Sequence, residues 1–305
     1  MTDGAENSGP IEPASSKAEE RPPCPEGNAP PPDFFCFGPP KSGTTMLQRM
    51  LDLHPKVSCP SEHHLRAYKD LLLQIAQAYN KHRETRDSWI GGYGAPPIAE
   101  ATSMGIWRDA VARILRDAGA GKPICGANDN ELMEQPELIR DHFPKAKLIA
   151  IFRHPLDQAI SAWHANERLS KQEGDPRHRD LQTKFGGLDG WVEHNAKRFV
   201  VLARRLATIC KDQPILTLRY EAVTQDRTRA LKRVFSFLEV EASPALRARI
   251  AEATTFERMR KEAPDPSFMN RGAEGYSASP DLRARVEIIA GPVMRRLGYD
   301  VESDA

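Results

Sequence analysis

Eight consecutive residues, Gly38-Pro39-Pro40-Lys41-Ser42-Gly43-Thr44-Thr45, combine one cation, three hydroxyls and two glycines. That is equipment for holding a phosphate. The octet follows an unbroken apolar run, Phe34-Phe35-Cys36-Phe37, which reads as a strand covered on both faces. It leads into Thr44–Leu53, where Met46, Leu47, Met50 and Leu51 recur on one side of a helix. A turn from strand to helix aims unpaired N–H groups and the positive end of the helix dipole at one point, and anions bind there. Gly38 and Gly43 let the backbone come close, Lys41 adds a mobile charge, and Ser42, Thr44 and Thr45 add donors. A plain Gly/Pro turn ahead of a capped helix is the blander explanation. The whole octet directly after an apolar strand favours the phosphate site.

The kind of phosphate site can be narrowed. Nucleoside triphosphatases place the loop Lys after the last Gly of their motif; here Lys41 precedes Gly43. A second apolar run, Lys147–Phe152, ends in Arg153 rather than in a magnesium-holding Asp. Both features speak against a kinase or ATPase. Arg153 can fork onto a phosphate, and Ser161, roughly two turns into the next helix, can add a hydroxyl. Metal-ligand spacing is absent: His63 and His64 are adjacent, which suits chelation poorly. The five cysteines are scattered and form no CxxC pair, which argues against a disulfide framework or a zinc site and for a reducing compartment.

The elements that must position these residues follow from pattern. Residues 1–32 hold eight prolines and an acidic excess, and are expected to form a disordered tail. Residues 33–300 are expected to form one domain. Helices are predicted over 64–81, 103–117, 133–143, 156–168, 188–211 and 227–238, strands over 147–152 and 214–218, and a mobile loop over 170–187. Strands alternating with helices imply a three-layer α/β/α fold around a central parallel sheet. A net charge of +1 predicts no nucleic-acid partner. No apolar run is long enough to cross a membrane and no signal peptide is apparent, so a cytoplasmic location is expected.

The loop 38–45 resembles the 5′-phosphosulfate loop of sulfotransferases that use 3′-phosphoadenylyl sulfate. Arg153 followed by Ser161 resembles that family's 3′-phosphate segment. Leu218-Arg219-Tyr220-Glu221 resembles the strand end whose Tyr contacts adenine, and Thr254-Thr255-Phe256-Glu257-Arg258-Met259 the segment beside the adenine. Phe268-Met269-Asn270-Arg271-Gly272 resembles the late segment that closes on the 3′-phosphate, with Asn270 departing from the first of two basic positions. The resemblance runs from about Asp33 to Tyr299. It implies a P-loop-like sulfotransferase fold, 3′-phosphoadenylyl sulfate as co-substrate without a metal, and release of 3′,5′-ADP. It further implies nucleotide contacts from Lys41, Ser42, Gly43, Thr44, Thr45, Arg153, Ser161, Tyr220, Thr254, Phe256, Arg271 and Gly272.

Lys41 is the expected stabiliser of the leaving oxygen. The base is open. Cytosolic relatives use a His before the 3′-phosphate strand, where this chain has Asp129; branches acting on glycans and protein tyrosines use a Glu after the first helix, which Glu62 matches. His63 and His64 are further candidates, and His64 also a candidate acceptor contact. The acceptor is a hydroxyl or amine of a small molecule, a glycan or a lipid headgroup, and the protein a monomer or a homodimer. Two alternatives stand beside this reading: a P-loop kinase or NTPase, and a nucleotide-binding protein that has lost its chemistry.

Overall fold

Four consecutive apolar residues, Phe34–Phe37, form strand β1, and none is more than 1% exposed. In the computed structural model, which describes residues 29–61, 63–87, 95–173, 177–263 and 279–299, β1 is the middle strand of five. The others are β2 (Val57–Ser58), β3 (Ile124–Asn128), β4 (Lys147–Phe152) and β5 (Ile215–Arg219). The order across the sheet is β2-β3-β1-β4-β5 and every pairing is parallel. Most of the tail expected over 1–32 lies outside the described residues.

Alternate residues of a strand point to opposite faces, and the core divides accordingly. Phe35 and Phe37 of β1, with Leu148, Ala150 and Phe152 of β4, face one core cluster. That cluster draws on α3 (Glu100–Ala118), α4 (Pro136–His142), α7 (Leu188–Ile209) and α12 (Pro280–Arg296). Phe34 and Cys36, with Ile149 and Ile151, face the other. There they meet α1 (Thr44–Asp52), α9 (Arg227–Phe237), α10 (Pro244–Ala253) and α11 (Phe256–Glu262). The expected three-layer α/β/α architecture is the one found. The chain passes from β1 to β2 and β3 on one side and then crosses from β3 to β4 on the other, so the strand order reverses beside β1. In parallel sheets ligands bind outside the carboxyl ends of the strands at such a point, and the loop 38–43 leaves β1 at that end.

Several expectations need correction. The helix predicted over 133–143 is broken into a 3-10 turn, Asn130–Glu134, and α4, because Pro136 begins α4 and forces Gln135 out of helical geometry. The loop predicted over 170–187 is largely helical: α5 runs Pro155–Glu173 and α6 Arg177–Phe185. Its polar residues are mostly good helix formers. The helix expected to end at 81 continues as α2, Leu65–Asp87. Strand β3 carries Gly126 and Asn128, which strands disfavour, and β2 has two residues. Neither shows a readable apolar pattern. Among the described residues no helix is long and apolar enough to cross a membrane.

Trp107 ties α3 to α2. Its ring is 1% exposed, and its Nε1 donates to the Leu65 carbonyl at 2.8 Å. Trp107→Ala should cost about 3–5 kcal/mol in urea unfolding. Trp107→Phe, which fills most of the space but gives up that hydrogen bond, should cost about 1–2 kcal/mol. Equal losses in the two variants would contradict this division between packing and hydrogen bond.

Candidate functional site

The turn after β1 is built from unusual backbone. Lys41 has φ 68° and Gly43, the N-cap of α1, has φ 90°, the left-handed region that ordinary residues avoid. Gly43 cannot be replaced without a clash, since a Cβ there would lie 2.4 Å from Cδ2 of Tyr220. At Gly38 a Cβ would meet the Ile151 carbonyl oxygen of β4 at 2.3 Å. The turn is held by neighbours. Ser42 N donates to Pro39 O at 3.1 Å, Gln158 Nε2 to Pro40 O at 2.6 Å, and Arg153 Nη1 to Lys41 O at 3.4 Å. Asn130 accepts from Gly38 N at 3.2 Å and donates to Thr44 Oγ1 at 3.4 Å. Because Gly43 has no side chain, nothing on the cap accepts the first N–H groups of α1. Those donors face the space beyond the turn.

That space is a cavity. From the turn and α1 it is lined by Lys41, Gly43, Thr44 and Thr45. Arg153 comes from the end of β4 and Ser161 from α5. Tyr220 opens α8 (Tyr220–Gln225) directly after β5, and Thr254 and Phe256 flank the turn into α11. Nine of the residues singled out in the sequence thus meet at one place, although they span more than 200 positions of chain. The Arg153 guanidinium lies over the Tyr220 ring, 5.0 Å from its centre, a cation–π distance. Ser42 sits beneath the turn, fully buried, with its Oγ lacking a partner.

Asn130 and Arg227 also line the cavity, as do Met46 and Met259, which the sequence placed on the α1 helix pattern and in the segment beside the adenine without giving either a contact of its own. Asn130 follows Asp129 in a polar stretch, and Arg227 begins α9 within another. Neither position carries a motif. Lys41, Arg153 and Arg227 bring three cations to the wall, and the described lining residues include no carboxylate.

The candidates for proton transfer are arranged differently. Asp129 is not among the lining residues; it is 3% exposed, and its two oxygens accept from Leu65 N at 2.9 Å and Glu131 N at 3.0 Å. It caps the 3-10 turn and the start of α2. Burial raises its pKa, and the two backbone hydrogen bonds oppose the rise. His64 is exposed, with φ 50°, and its Nδ1 lies 3.4 Å from Oε1 of Glu131. His63 has a buried Nε2 without a partner, and burial lowers its pKa. Glu62, Asn270, Arg271 and Gly272 lie outside the described residues.

A family model described as the Sulfotransferase family matches residues 32–244, more than half of the chain. A curated relative, the amine sulfotransferase of Oryctolagus cuniculus, is 26% identical over 164 residues, which are 47% of this chain and 49% of the relative. The chain thus spans about half the length of that relative. Among solved structures, a sulfotransferase from Alicyclobacillus acidocaldarius has a TM-score of 0.52 at 17% identity, covering 89% of this chain and 98% of that one. Mouse sulfotransferase SULT7A1, complexed with PAP, has a TM-score of 0.51 at 17% identity, covering 88% of this chain and 85% of that one. These likenesses concern the fold.

Gly43→Ala joins a left-handed backbone to a clash with the Tyr220 ring, and should lower stability by about 1–3 kcal/mol in urea unfolding. A second change, Tyr220→Ala, should recover part of that loss. If the double variant is no better than the two losses added together, the contact is not what forbids a side chain at 43.

Proposed function

The chain belongs to the sulfotransferase family, and from that premise we propose that it transfers a sulfuryl group from 3′-phosphoadenylyl sulfate to an acceptor, releasing 3′,5′-ADP. The observation that carries this reading is the cavity wall: three cations and four hydroxyl-bearing side chains of Ser and Thr around a bare helix start, with no described carboxylate. Such a wall suits a ligand with several anionic groups. A protein of the same fold complexed with PAP, which is 3′,5′-ADP, supports the choice of nucleotide.

In this reading the first N–H groups of α1, with Thr44 and Thr45, hold the 5′-phosphosulfate. Arg153 and Ser161 hold the 3′-phosphate. Tyr220, Thr254 and Phe256 contact the adenine, and Arg271 and Gly272 close on the nucleotide as the family resemblance implies. Transfer is an in-line displacement. The acceptor oxygen or nitrogen forms the new bond to sulfur while the bond from sulfur to the bridging oxygen breaks. The electron pair of that bond stays with the 5′-phosphate of 3′,5′-ADP. Lys41 lies on the loop where this charge develops and stabilises it. The acceptor proton passes to a base.

Glu62 is that base in our reading, by its match to the family's Glu. Asp129 is a positioning residue: both its oxygens already accept from backbone N–H, and it anchors the start of α2 at Leu65. His64, turned toward Glu131, is assigned no part in the step. The acceptor is a hydroxyl or an amine on a small molecule; the amine is kept because the curated relative is an amine sulfotransferase.

Three outcomes test the proposal. In thermal unfolding, saturating 3′,5′-ADP should raise the melting temperature more than ATP at equal concentration; a larger shift with ATP would overturn the choice of donor. Lys41→Ala should reduce sulfuryl transfer about 100-fold or more, read with labelled donor, and near-normal turnover would refute its role. Glu62→Gln should keep 3′,5′-ADP affinity and lose about 100-fold or more in turnover. Unchanged turnover would remove Glu62 as the base.

A further inference from the structure

Arg227 is the lining cation to which neither the motif pattern nor the transfer step gives a part. It is the first residue of α9, next to the N-cap Asp226, whose carboxylate accepts from Arg229 N at 2.8 Å. Arg227 itself makes one long bond, from Nη1 to Thr224 O at 3.4 Å, and its Nε is buried without a partner. No carboxylate among the described residues pairs with it. A guanidinium stays charged at any working pH and can only donate. Half-buried at the edge of a cavity with donors to spare, it is fitted to a ligand that brings acceptors.

The fold indicates which part of the ligand that is. The helices around Arg227 pack on the α1 face of the sheet: Val223, Ala230 and Leu231 share one core cluster with Met46, Leu47 and Met259. Ser161 stands on α5, whose buried residues Leu156, Ala159 and Ile160 belong to a separate cluster with Val192, Leu282 and Val286. Arg227 therefore approaches the cavity from the side of Thr254, Phe256 and Met259, away from the helix that carries Ser161. A purine on that side presents ring nitrogens that accept and a π face over which a planar cation can lie.

Resting on the reading of the cavity as the donor site, we propose that Arg227 is a specificity-determining residue that donates to a ring nitrogen of the donor's purine. Its planar fork, more than its charge, does this. Affinity for the nucleoside part therefore depends on Arg227 whether or not a 3′-phosphate is present, whereas affinity contributed by Arg153 depends on that phosphate.

The test is calorimetric titration of the full chain with 3′,5′-ADP and with 5′-AMP, using wild type, Arg227→Ala, Arg227→Lys and, as a comparison, Arg153→Ala. Unliganded melting temperatures check that each variant is folded. Arg227→Ala should weaken both nucleotides by the same factor, about 10-fold or more, leaving the ratio of the two affinities unchanged. Arg227→Lys should fail to restore the loss. Arg153→Ala should instead collapse the ratio. If Arg227→Ala weakens 3′,5′-ADP alone, Arg227 is a phosphate contact and the proposal is overturned. Restoration by Lys overturns it as well, as does unaltered binding of both nucleotides. If wild type itself does not bind 3′,5′-ADP, the donor reading fails and this inference fails with it; binding by wild type with indifference to Arg227 removes this inference alone.

Discussion

The turn after β1 has to hold two left-handed residues, Lys41 and Gly43, within three positions, and the rest of the site depends on it. Backbone in this region costs of order 1–3 kcal/mol per residue for a side chain such as Lys, and persists only where its surroundings over-determine it. Here the surroundings come from three separate stretches of chain, after β3, across β4 and α5, and after β5. Asn130 from beyond β3 takes Gly38 N, and Arg153 from beyond β4 takes Lys41 O. Gln158 on α5 takes Pro40 O, and the Tyr220 ring after β5 fills the space beside Gly43. The same three stretches line the cavity through Asn130, Arg153 with Ser161, and Tyr220. Building the cradle and assembling the other subsites are therefore one structural event.

That coupling also explains where acidic side chains lie. The cavity wall is cationic, so a carboxylate aimed into it would compete with any anionic ligand. Two acidic residues close by, among those described, are turned to backbone donors instead. Glu221, adjacent to Tyr220, accepts from the His154 backbone N–H at 2.8 Å and so steadies the turn that begins with Arg153. Asp129 takes two backbone N–H groups at the meeting of the 3-10 turn and α2. Both carboxylates satisfy helix-start or turn donors that would otherwise be buried unpaired.

What could be read from sequence follows from how local each signal is. The loop was legible because cation, hydroxyls and glycines are contiguous and sit between an apolar strand and a helical pattern. Arg153, Ser161, Tyr220, Thr254 and Phe256 were legible only as an ordered series; the fold then brings them to one cavity. Strand β3 was not legible, because Gly126 and Asn128 break the apolar run and its burial comes from neighbours. The segment 170–187 misled because polarity marks exposure rather than irregular backbone, and α6 is an exposed, mostly polar helix. Arg227 had no signal at all: its neighbours Gln225, Asp226 and Arg229 are as polar as it is, and only the packing of α9 onto the core it shares with α1 brings it to the cavity.

The sheet itself supplies the spacing of the subsites. β1, β4 and β5 are consecutive neighbours, and adjacent strands run about 4.8 Å apart. Their carboxyl ends therefore bring the Lys41 loop, Arg153 and Tyr220 side by side, close enough for Arg153 to reach both the Lys41 carbonyl and the Tyr220 ring. In the proposed function, the ligand that meets all three carries an anionic group at the loop, another beside Arg153, and a flat portion toward Tyr220 and Phe256. In that reading a nucleotide bearing two separate phosphate positions can meet both the bare start of α1 and the Arg153 guanidinium, which stands between the Lys41 carbonyl and the Tyr220 ring.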